Sequence, residues 1–319
     1  MNFEKYIPLI TTLASLLTVL SFFLSILIPD SYTQRILIII IGILGAIIVS
    51  TFFMLSRKPS TLIISLLGPP GTGKSVYLTI LFNELVSNKK HFKQISFQPY
   101  GIETIEHVTT NFKDLLNGFW IPATSMNDVF YFRANTMIKK APFSRRYKLE
   151  IGDYAGEHLT NINKSSSTWY HKSSFFKDVI SSDIIFLSIE VELLRVDLKD
   201  AQIINRRIDT ELAFVAAIQI LIQEKGLKPN DKSNTPIVLL LTKADKINEF
   251  ESFLEHSQEI ADELVQSIPR LHNLLQSRFK NYKYFLTSSV GSTSNGKPPK
   301  KIRPYNVVEP LLWSLKQRP

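Results

Sequence analysis

A strand, a glycine-rich loop and a helix follow one another near residue 70 of this chain. The apolar run 61–67 predicts a buried strand, and an amphipathic helical pattern starts at Val76. The residues between them fill every fixed position of the motif GxxxxGK[ST]. Glycines in such a loop let backbone N–H groups surround phosphate oxygens, and the helix directs its positive N-terminus toward them. We therefore predict a phosphate-binding loop formed by Gly68, Pro69, Pro70, Gly71, Thr72, Gly73, Lys74, Ser75 and Val76.

The last two fixed residues of the motif indicate the ligand. Lys74 is placed to reach the β- and γ-phosphates of a nucleotide, and the Ser75 hydroxyl to bind Mg²⁺. The alternative is a simple turn between a strand and a helix. It gives no reason for a lysine and a serine at the start of the helix, so the motif favours a nucleoside triphosphate with Mg²⁺.

Two long uncharged segments precede the strand, at about residues 6–29 and 36–55. As helices they would extend about 36 and 30 Å, enough to cross a bilayer. We therefore predict a two-helix transmembrane hairpin over residues 1–58, with 30–35 as its turn, followed by a single domain over residues 59–319. A cleaved signal peptide and a buried hairpin are the alternatives.

Charge predicts the orientation of this hairpin. Lys5, Arg57 and Lys58 flank the two segments, whereas only Arg35 lies between them. The positive-inside rule then makes this an integral membrane protein, in contact with the lipid bilayer and with residues 59–319 on the cytoplasmic side. The chain has no cysteine, which excludes disulfides and thiolate metal sites.

Apolar strands and helical patterns alternate through the rest of the chain, which predicts an α/β fold: a mixed, mostly parallel sheet with helices on both faces. Residues 87–126 have no long periodic run, so we predict irregular structure with short elements there. The strands are predicted at 128–133, 146–151, 184–189, 236–241 and 282–286, and the later helices at 200–224, 250–279 with a bend at Pro269, and 306–315.

Three short motifs stand where predicted strands end. They are Asp153-x-x-Gly156, Thr242-Lys243-x-Asp245 and Thr287-Ser288-Ser289. With the phosphate-binding loop, their order resembles the Ras-like P-loop GTPases, whose G domain is the implied fold. Within that class, the combination of GPPGTGKS, DYAGE and the segment Trp120-x-Pro122-x-Thr124 resembles the predicted bacterial double-GTPase proteins.

The resemblance implies GTP or GDP as the ligand and gives roles to single residues. Asp153 would hold Mg²⁺ through a water, and the Gly156 amide would sense the γ-phosphate. Asp245 would accept hydrogen bonds from guanine N1 and N2, and the Lys243 stem would cover the base. Thr242 belongs to the same motif, and the loop of Ser288 and Ser289 would meet the guanine oxygen.

Two further site residues follow from the same resemblance. Thr124 is chosen as the switch threonine that binds Mg²⁺, ahead of Thr104, Thr109 and Thr110, because it directly precedes a predicted strand. Glu157 stands where the related proteins usually have a glutamine that orients the attacking water. Lys74, Gly156 and Glu157 are therefore the predicted catalytic residues.

We expect a membrane-anchored GTPase that hydrolyses GTP slowly and acts as a conformational switch. A protein effector or activating partner is expected, with a homodimer as the alternative; Arg145, Arg146, Arg206 and Arg207 are candidates for a catalytic cation. The net charge is +9, but no nucleic-acid-reading motif is found, so nucleic acid is not an expected partner.

Two other functions remain open. GPPGTGKS also resembles the loop of AAA+ ATPases, although those enzymes need a strand that ends in Asp-Glu, and Ile189-Glu190 is the nearest match. A non-hydrolysing nucleotide-binding scaffold for a membrane partner is the third possibility.

Overall fold

The computed structural model divides the chain into two compact units, Met1–Pro59 and Ser60–Pro319. The structure describes residues 15, 19, 22, 23, 36, 39, 40, 42–46, 59–87, 95–124, 129–140, 143–160, 174–195, 199–247, 256–293 and 296–317.

The first unit corrects one part of the predicted fold. Its described residues are helical, but among the described residues of the chain no helix is long and apolar enough to cross a membrane. The predicted transmembrane hairpin with spans at 6–29 and 36–55, and the predicted integral membrane localisation with a cytoplasmic domain, are therefore wrong. Most residues of both predicted spans lie outside the described part of the chain.

The second unit is built on a seven-stranded sheet of order β2-β3-β4-β1-β5-β6-β7. β1, β4, β5, β6 and β7 run parallel, whereas β3 pairs antiparallel with β4 and β2 antiparallel with β3. The predicted mixed, mostly parallel sheet is therefore observed. Its strands are β1 (Ser60–Leu67), β2 (Ile95–Pro99), β3 (Phe130–Lys140), β4 (Phe143–Asp153), β5 (Ile184–Glu190), β6 (Ile237–Thr242) and β7 (Tyr282–Leu286).

Helices connect these strands. They are α1 (Lys74–Ser87), α2 (Ile102–Leu116), α3 (Gly156–Thr160), α4 (Ser174–Ser181), α5 (Val191–Leu194), α6 (Ala201–Glu224), α7 (Ser257–Leu264), α8 (Pro269–Arg278) and α9 (Glu309–Lys316). Asp200 caps α6 by accepting a hydrogen bond from the Gln202 amide. Pro269 is at the start of α8, where its missing donor costs nothing, so it begins a new helix instead of bending one.

Both faces of the sheet are covered, because successive side chains of a buried strand point to opposite sides. In β5, Ile185 and Leu187 pack on one face against α6 and α8, while Phe186 packs on the other against α1 and α9. Every residue of β5 and β6 is buried. This double cover leaves the carboxyl ends of the strands as the open edge, where ligands of such sheets bind.

Residues 87–126 differ from the prediction. Instead of irregular structure they contain β2 and the fifteen-residue helix α2. The helix buries Thr104, Asn111 and Leu115, while Ile102 and Ile105 are 74% and 50% exposed. Apolar residues do recur at helical spacing, at Ile105, Val108, Phe112 and Leu115, but the polar residues around them and the flanking Gly101 and Gly118 obscured this stripe.

Candidate nucleotide-binding site

The loop between β1 and α1 has the conformation that its glycines permit. Gly71 and Gly73 both have φ of 81°, which disfavours any residue with a Cβ. Gly68 has no space for a side chain, since a Cβ there would lie 2.2 Å from Ser188 Oγ and 2.6 Å from the Ser188 carbonyl oxygen. The Tyr77 amide donates to the Gly73 carbonyl at 2.8 Å and starts the helical hydrogen bonding of α1. Backbone N–H groups of the loop are thus held at a helix N-terminus.

Lys74 lies beneath this loop. Its Nζ donates to the carbonyl oxygens of Gly68 at 2.9 Å and Pro69 at 3.1 Å, and the residue is 7% exposed. Burial lowers the pKa of Lys74 to about 8, while the negative charges of Asp153 and Glu157 oppose the shift. An anion brought to the loop would favour the charged ammonium.

Ser75, Thr124 and Asp153 come together although they are far apart in the chain. Ser75 Oγ donates to Asp153 Oδ2 at 2.6 Å, Thr124 Oγ1 donates to the same oxygen at 3.2 Å, and the two hydroxyls are 3.2 Å apart. Strand pairing explains part of this geometry, because Asp153 ends β4 beside Leu66 of β1. The three predicted metal ligands therefore form one cluster.

The cluster has the chemistry of a magnesium site. Asp153 is 1% exposed and its Oδ1 is buried without a hydrogen-bond partner. Burial raises the pKa of this carboxyl, while bonds from Ser75 and the charge of Lys74 oppose the shift. Mg²⁺ prefers oxygen ligands and usually binds through one or two carboxylates plus phosphates. No group of three or more His, Cys, Asp or Glu that could hold a metal is found among the described residues. Two hydroxyls and one carboxylate with a free oxygen fit Mg²⁺ shared with phosphates.

Gly156 brings the Asp153-x-x-Gly156 turn against the phosphate-binding loop. A Cβ on Gly156 would lie 2.2 Å from the Pro70 nitrogen and 2.5 Å from the Pro69 carbonyl carbon. Both are backbone atoms, so the two loops contact each other without any intervening side chain. Glu157 follows directly and lines the cavity above the loop.

The second group of predicted residues meets at the ends of β6 and β7. Ser288 Oγ donates to Asp245 Oδ1 at 2.5 Å, and the Ala244 amide donates to the Thr287 carbonyl at 3.1 Å. Thr242 Oγ1 donates to the Ile189 carbonyl at 3.2 Å. These bonds join the ends of β5, β6 and β7, so the position of Asp245 is fixed by its neighbouring strands.

Two cavities of about 300 and 290 Å³ lie over these two groups. They share Gly73, Val76, Trp120 and Lys243, which makes them halves of one cleft. The first half is lined by Pro70, Gly71, Lys74, Ser75, Thr124, Gly156 and Glu157 among others, and the second by Thr72, Thr242, Asp245 and Ser289 among others. We call them the phosphate half and the base half. Gly68, Pro69, Asp153 and Ser288 do not line the cleft but hydrogen bond to, or lie next to, residues that do.

The other candidates from the sequence do not reach this cleft. Thr104 accepts from the Arg133 amide and Thr109 donates within α2. Arg145 is eight residues before Asp153 in β4, or about 26 Å along the strand. The candidate arginines Arg145, Arg146, Arg206 and Arg207 are all absent from the residues that line the two cavities.

Two further residues at the site, one that lines the cleft and one that lies next to it, were not predicted as site residues. Trp120 is 43% exposed, lines both halves, and donates from Nε1 to the Gly296 carbonyl at 2.6 Å. It therefore joins the segment before Thr124 to the loop after β7. Its sequence signal was the Trp-x-Pro-x-Thr segment, which gave no role. Glu190 does not line the cleft but lies 3.1 Å from Nζ of Lys243, which does, and its only signal was a single acidic residue at the end of an apolar strand.

The family model for Double-GTPase 1 proteins matches residues 65–301, well over half of the 319-residue chain. The chain belongs to the Double-GTPase 1 family. It is therefore a P-loop GTPase, a protein of the GTP-binding and nucleotide-hydrolysing class, and the predicted resemblance is confirmed.

Solved GTPase structures are similar to this Double-GTPase 1 chain at low identity. Elongation factor SelB from Methanococcus maripaludis, in complex with the GTP analogue GppNHp, is 10% identical with a TM-score of 0.33, over 73% of this chain and 31% of SelB. The signal recognition particle receptor SRb-GTP/SRX complex from Chaetomium thermophilum is 12% identical with a TM-score of 0.39, over 82% of this chain and 99% of the matched chain. Sup35 complexed with GDP is 15% identical with a TM-score of 0.29, over 73% of this chain and 38% of Sup35. The aligned chain thus spans only about a third of SelB and of Sup35. No match is found among curated proteins.

Proposed function

We propose that this protein binds GTP with Mg²⁺ in the cleft, hydrolyses it slowly, and changes the surface around Thr124 and Gly156 between its GTP and GDP states. The observation that carries this proposal is the cluster of Ser75, Thr124 and Asp153, with a buried carboxylate oxygen that has no partner. Residues 59–319 form the nucleotide-binding domain in this proposal.

The phosphate half would hold the triphosphate. Backbone amides of the loop and the N-terminus of α1 bind the phosphate oxygens, and the Lys74 ammonium exchanges its two carbonyl acceptors for β- and γ-phosphate oxygens. Ser75, Thr124 and Asp153 would hold Mg²⁺, which when bound offsets the negative charge that develops on the phosphates.

Two contacts near the phosphate-binding loop support the proposed switch. Thr124 reaches the cluster from the segment before β3, and Gly156 contacts the loop backbone from the end of β4. Loss of the γ-phosphate and its Mg²⁺ would weaken the hold on Thr124, which is tied to Ser75 and Asp153, and would remove the phosphate that the Gly156 amide senses. Order and disorder of such segments is a known switching mode.

The base half would recognise guanine. Asp245 accepts hydrogen bonds from guanine N1 and N2, the Lys243 stem covers the ring, and the loop of Ser288 and Ser289 meets the guanine oxygen. The bond from Ser288 supports this role by orienting Asp245 Oδ1. Adenine would leave the Asp245 carboxylate without hydrogen-bond donors. The free-energy cost of that unpaired carboxylate would discriminate strongly against ATP.

Slow hydrolysis is proposed because the catalytic set is incomplete. Glu157 lines the phosphate half where a water-orienting residue is needed, but it is an anion beside a triphosphate. Among the described residues that line either cavity there is no arginine. A protein partner, or a second copy of the chain, would supply a cation that offsets developing charge.

Single-turnover hydrolysis of GTP by the full-length protein tests the proposal. We expect a rate of roughly 10⁻³ s⁻¹ or below for the isolated protein, and a further loss in Lys74→Ala and Glu157→Ala. Lys225→Ala, which removes a lysine that bonds Thr235 away from the cleft, is the matched control and should keep the rate.

Three outcomes would contradict the proposal. A rate above about 1 s⁻¹ at low protein concentration would show that the chain carries its complete catalytic set. ATP binding as tight as GTP binding would favour an ATPase of AAA+ type. GTP binding without turnover, at any protein concentration, would favour a non-hydrolysing scaffold.

A further inference from the structure

Glu190 is an acidic residue in an unexpected place. It ends β5, the strand between β1 and β6, and is 7% exposed. Its carboxylate therefore lies at the edge of the sheet where an anionic ligand is expected. A buried carboxylate is costly unless it is paired with a cation.

The partner of this carboxylate is Lys243. Glu190 Oε1 lies 3.1 Å from Lys243 Nζ, and their side chains are 10% and 33% exposed. The same oxygen lies 3.7 Å from the place where a Cβ on Gly71 would be, so the pair also borders the phosphate-binding loop. Lys74 does not share this carboxylate, because its ammonium bonds to the loop carbonyls.

The backbone of Lys243 shows that its position is specified. It has φ of 58°, in the left-handed region that costs a residue with a Cβ free energy. The residue lines both halves of the cleft. With its ammonium held at Glu190, the four-carbon stem of Lys243 crosses the boundary between the phosphate half and the base half.

We infer that Glu190 is a positioning residue for nucleotide binding: it holds the Lys243 ammonium against the phosphate-binding loop so that the lysine stem covers the base. This inference rests on the proposed guanine-nucleotide site. Glu190 acts through Lys243 and touches no reacting atom, so it affects how long the nucleotide stays bound and not the chemical step. A catalytic glutamate after the strand, as the AAA+ alternative requires, would have the opposite effect.

The test is a double-mutant cycle in the full-length protein. Glu190→Gln keeps the shape and removes the charge, Lys243→Met keeps the stem and removes the ammonium, and the third variant combines them. Dissociation of a fluorescent GDP and single-turnover GTP hydrolysis at saturating nucleotide are both measured. Glu150→Gln is the matched control, since Glu150 pairs with Arg133 at 3.4 Å in β4 and is absent from the cavity-lining residues.

We expect Glu190→Gln to speed GDP dissociation by about tenfold or more, as for loss of a hydrogen bond to a charged group. The double variant should dissociate no faster than Lys243→Met, because the two residues act as a pair. The hydrolysis rate of Glu190→Gln should stay within about twofold of the unmodified protein, and Glu150→Gln should change neither quantity.

Additive effects in the cycle, or unchanged GDP dissociation in Glu190→Gln, would overturn the inference while leaving the proposed function intact. A loss of hydrolysis by about 10² with unchanged dissociation would also overturn it and make Glu190 catalytic. Failure of the unmodified protein to bind GDP or GTP would instead refute the proposed function itself.

Discussion

The two halves of the cleft are built differently. In the phosphate half the charged group that lines the cavity is buried, since Lys74 is 7% exposed, and Asp153, which binds Ser75 from behind the lining, is 1% exposed. In the base half, Lys243 and Asp245 are partly exposed and are held by side-chain pairs between strand ends. Phosphates are common to every nucleotide, so a rigid cradle suits them, whereas the choice of base depends on a few polar groups.

Because of this difference, we expect substitutions in the two halves to have different effects on nucleotide binding. Changes in the phosphate half should weaken all nucleotides alike or remove the response to the γ-phosphate. Changes in the base half should redistribute affinity among bases. The predictions below test that division, beginning with the largest effect.

Asp245→Asn should change which base is bound. The asparagine oxygen can still accept the Ser288 hydroxyl, but its amide cannot accept from both guanine donors. We expect loss of most of a GTP-over-ATP preference that is on the order of 10⁴ in such sites, together with improved binding of xanthosine triphosphate, whose oxygen faces the new amide. Calorimetry with the three nucleotides measures this.

The same variant gives a control for the phosphate half. At saturation, Asp245→Asn should hydrolyse xanthosine triphosphate about as fast as the unmodified protein hydrolyses GTP. Equal weakening of GTP, ATP and xanthosine triphosphate would mean that Asp245 supports the fold of the loop and does not select the base.

Gly156→Ala should affect the response to the γ-phosphate. The added Cβ meets backbone atoms of Pro69 and Pro70, so the turn must move away from the phosphate-binding loop. We expect affinity for a non-hydrolysable GTP analogue to fall by about 10², as when one backbone donor is lost, with GDP affinity changed by only a few-fold. Equilibrium titration of both nucleotides measures the difference.

Gly226→Ala is the control for this prediction. Gly226 has φ of 62° and open space around it, so an alanine there costs backbone strain without a clash. It should lower stability slightly and leave both affinities unchanged. If Gly156→Ala binds the analogue and GDP with equal losses, the contact between the two loops is structural and carries no γ-phosphate signal.

The sequence placed much of the phosphate half because several of its groups belong to one continuous motif. Lys74 and Ser75 are fixed by spacing within eight residues, and Asp153 follows from the end of a recognisable strand. Thr124 required a choice among four threonines, and its hydrogen bond to Asp153 now gives the choice a geometric basis. The residue roles themselves stay predictions.

Pairs between distant strands could not be predicted. Glu190 and Lys243 are separated by more than fifty residues, and nothing in either local pattern indicates that they meet. Helix α2 was missed although Val108, Phe112 and Leu115 recur at helical spacing, because the mixed polarity of the segment obscured this short stripe. The predicted membrane spans rested on uncharged runs alone, and no helix of the described residues is long and apolar enough to cross a membrane.

The smallest expected effect concerns His107 in α2, which packs next to the phosphate half and does not line the cleft. Its ring stacks on Phe130 with centroids 3.9 Å apart, and Phe130 pairs with Asp153 in the sheet. Burial lowers the pKa of His107 below the ordinary 6.5, while the negative charge of Asp153 opposes the shift. The ring therefore reports the charge at Asp153 without contacting the nucleotide.

Two consequences follow for its titration. The unfolded chain binds a proton at His107 in a pH range where the folded protein does not, so this residue's contribution to stability is lost as pH falls below 6.5. Binding of Mg²⁺ and GTP changes the charge beside Asp153, which should shift the pKa of His107. Asp245→Asn, in the base half, should leave the nucleotide-free pKa of His107 unchanged.

Proton NMR of the imidazole during a pH titration, with the signal assigned by its absence in His107→Phe, measures both effects. His256, which is exposed and pairs with Glu259 at 3.2 Å away from the cleft, provides the internal control and should not respond to nucleotide. Absence of a response at His107, or a response to nucleotide that His256 shares, would mean that the electrostatics of the phosphate half do not reach helix α2. In that case the charges of the phosphate half would not affect the residues around it. The two halves would then differ only in how closely their side chains are packed.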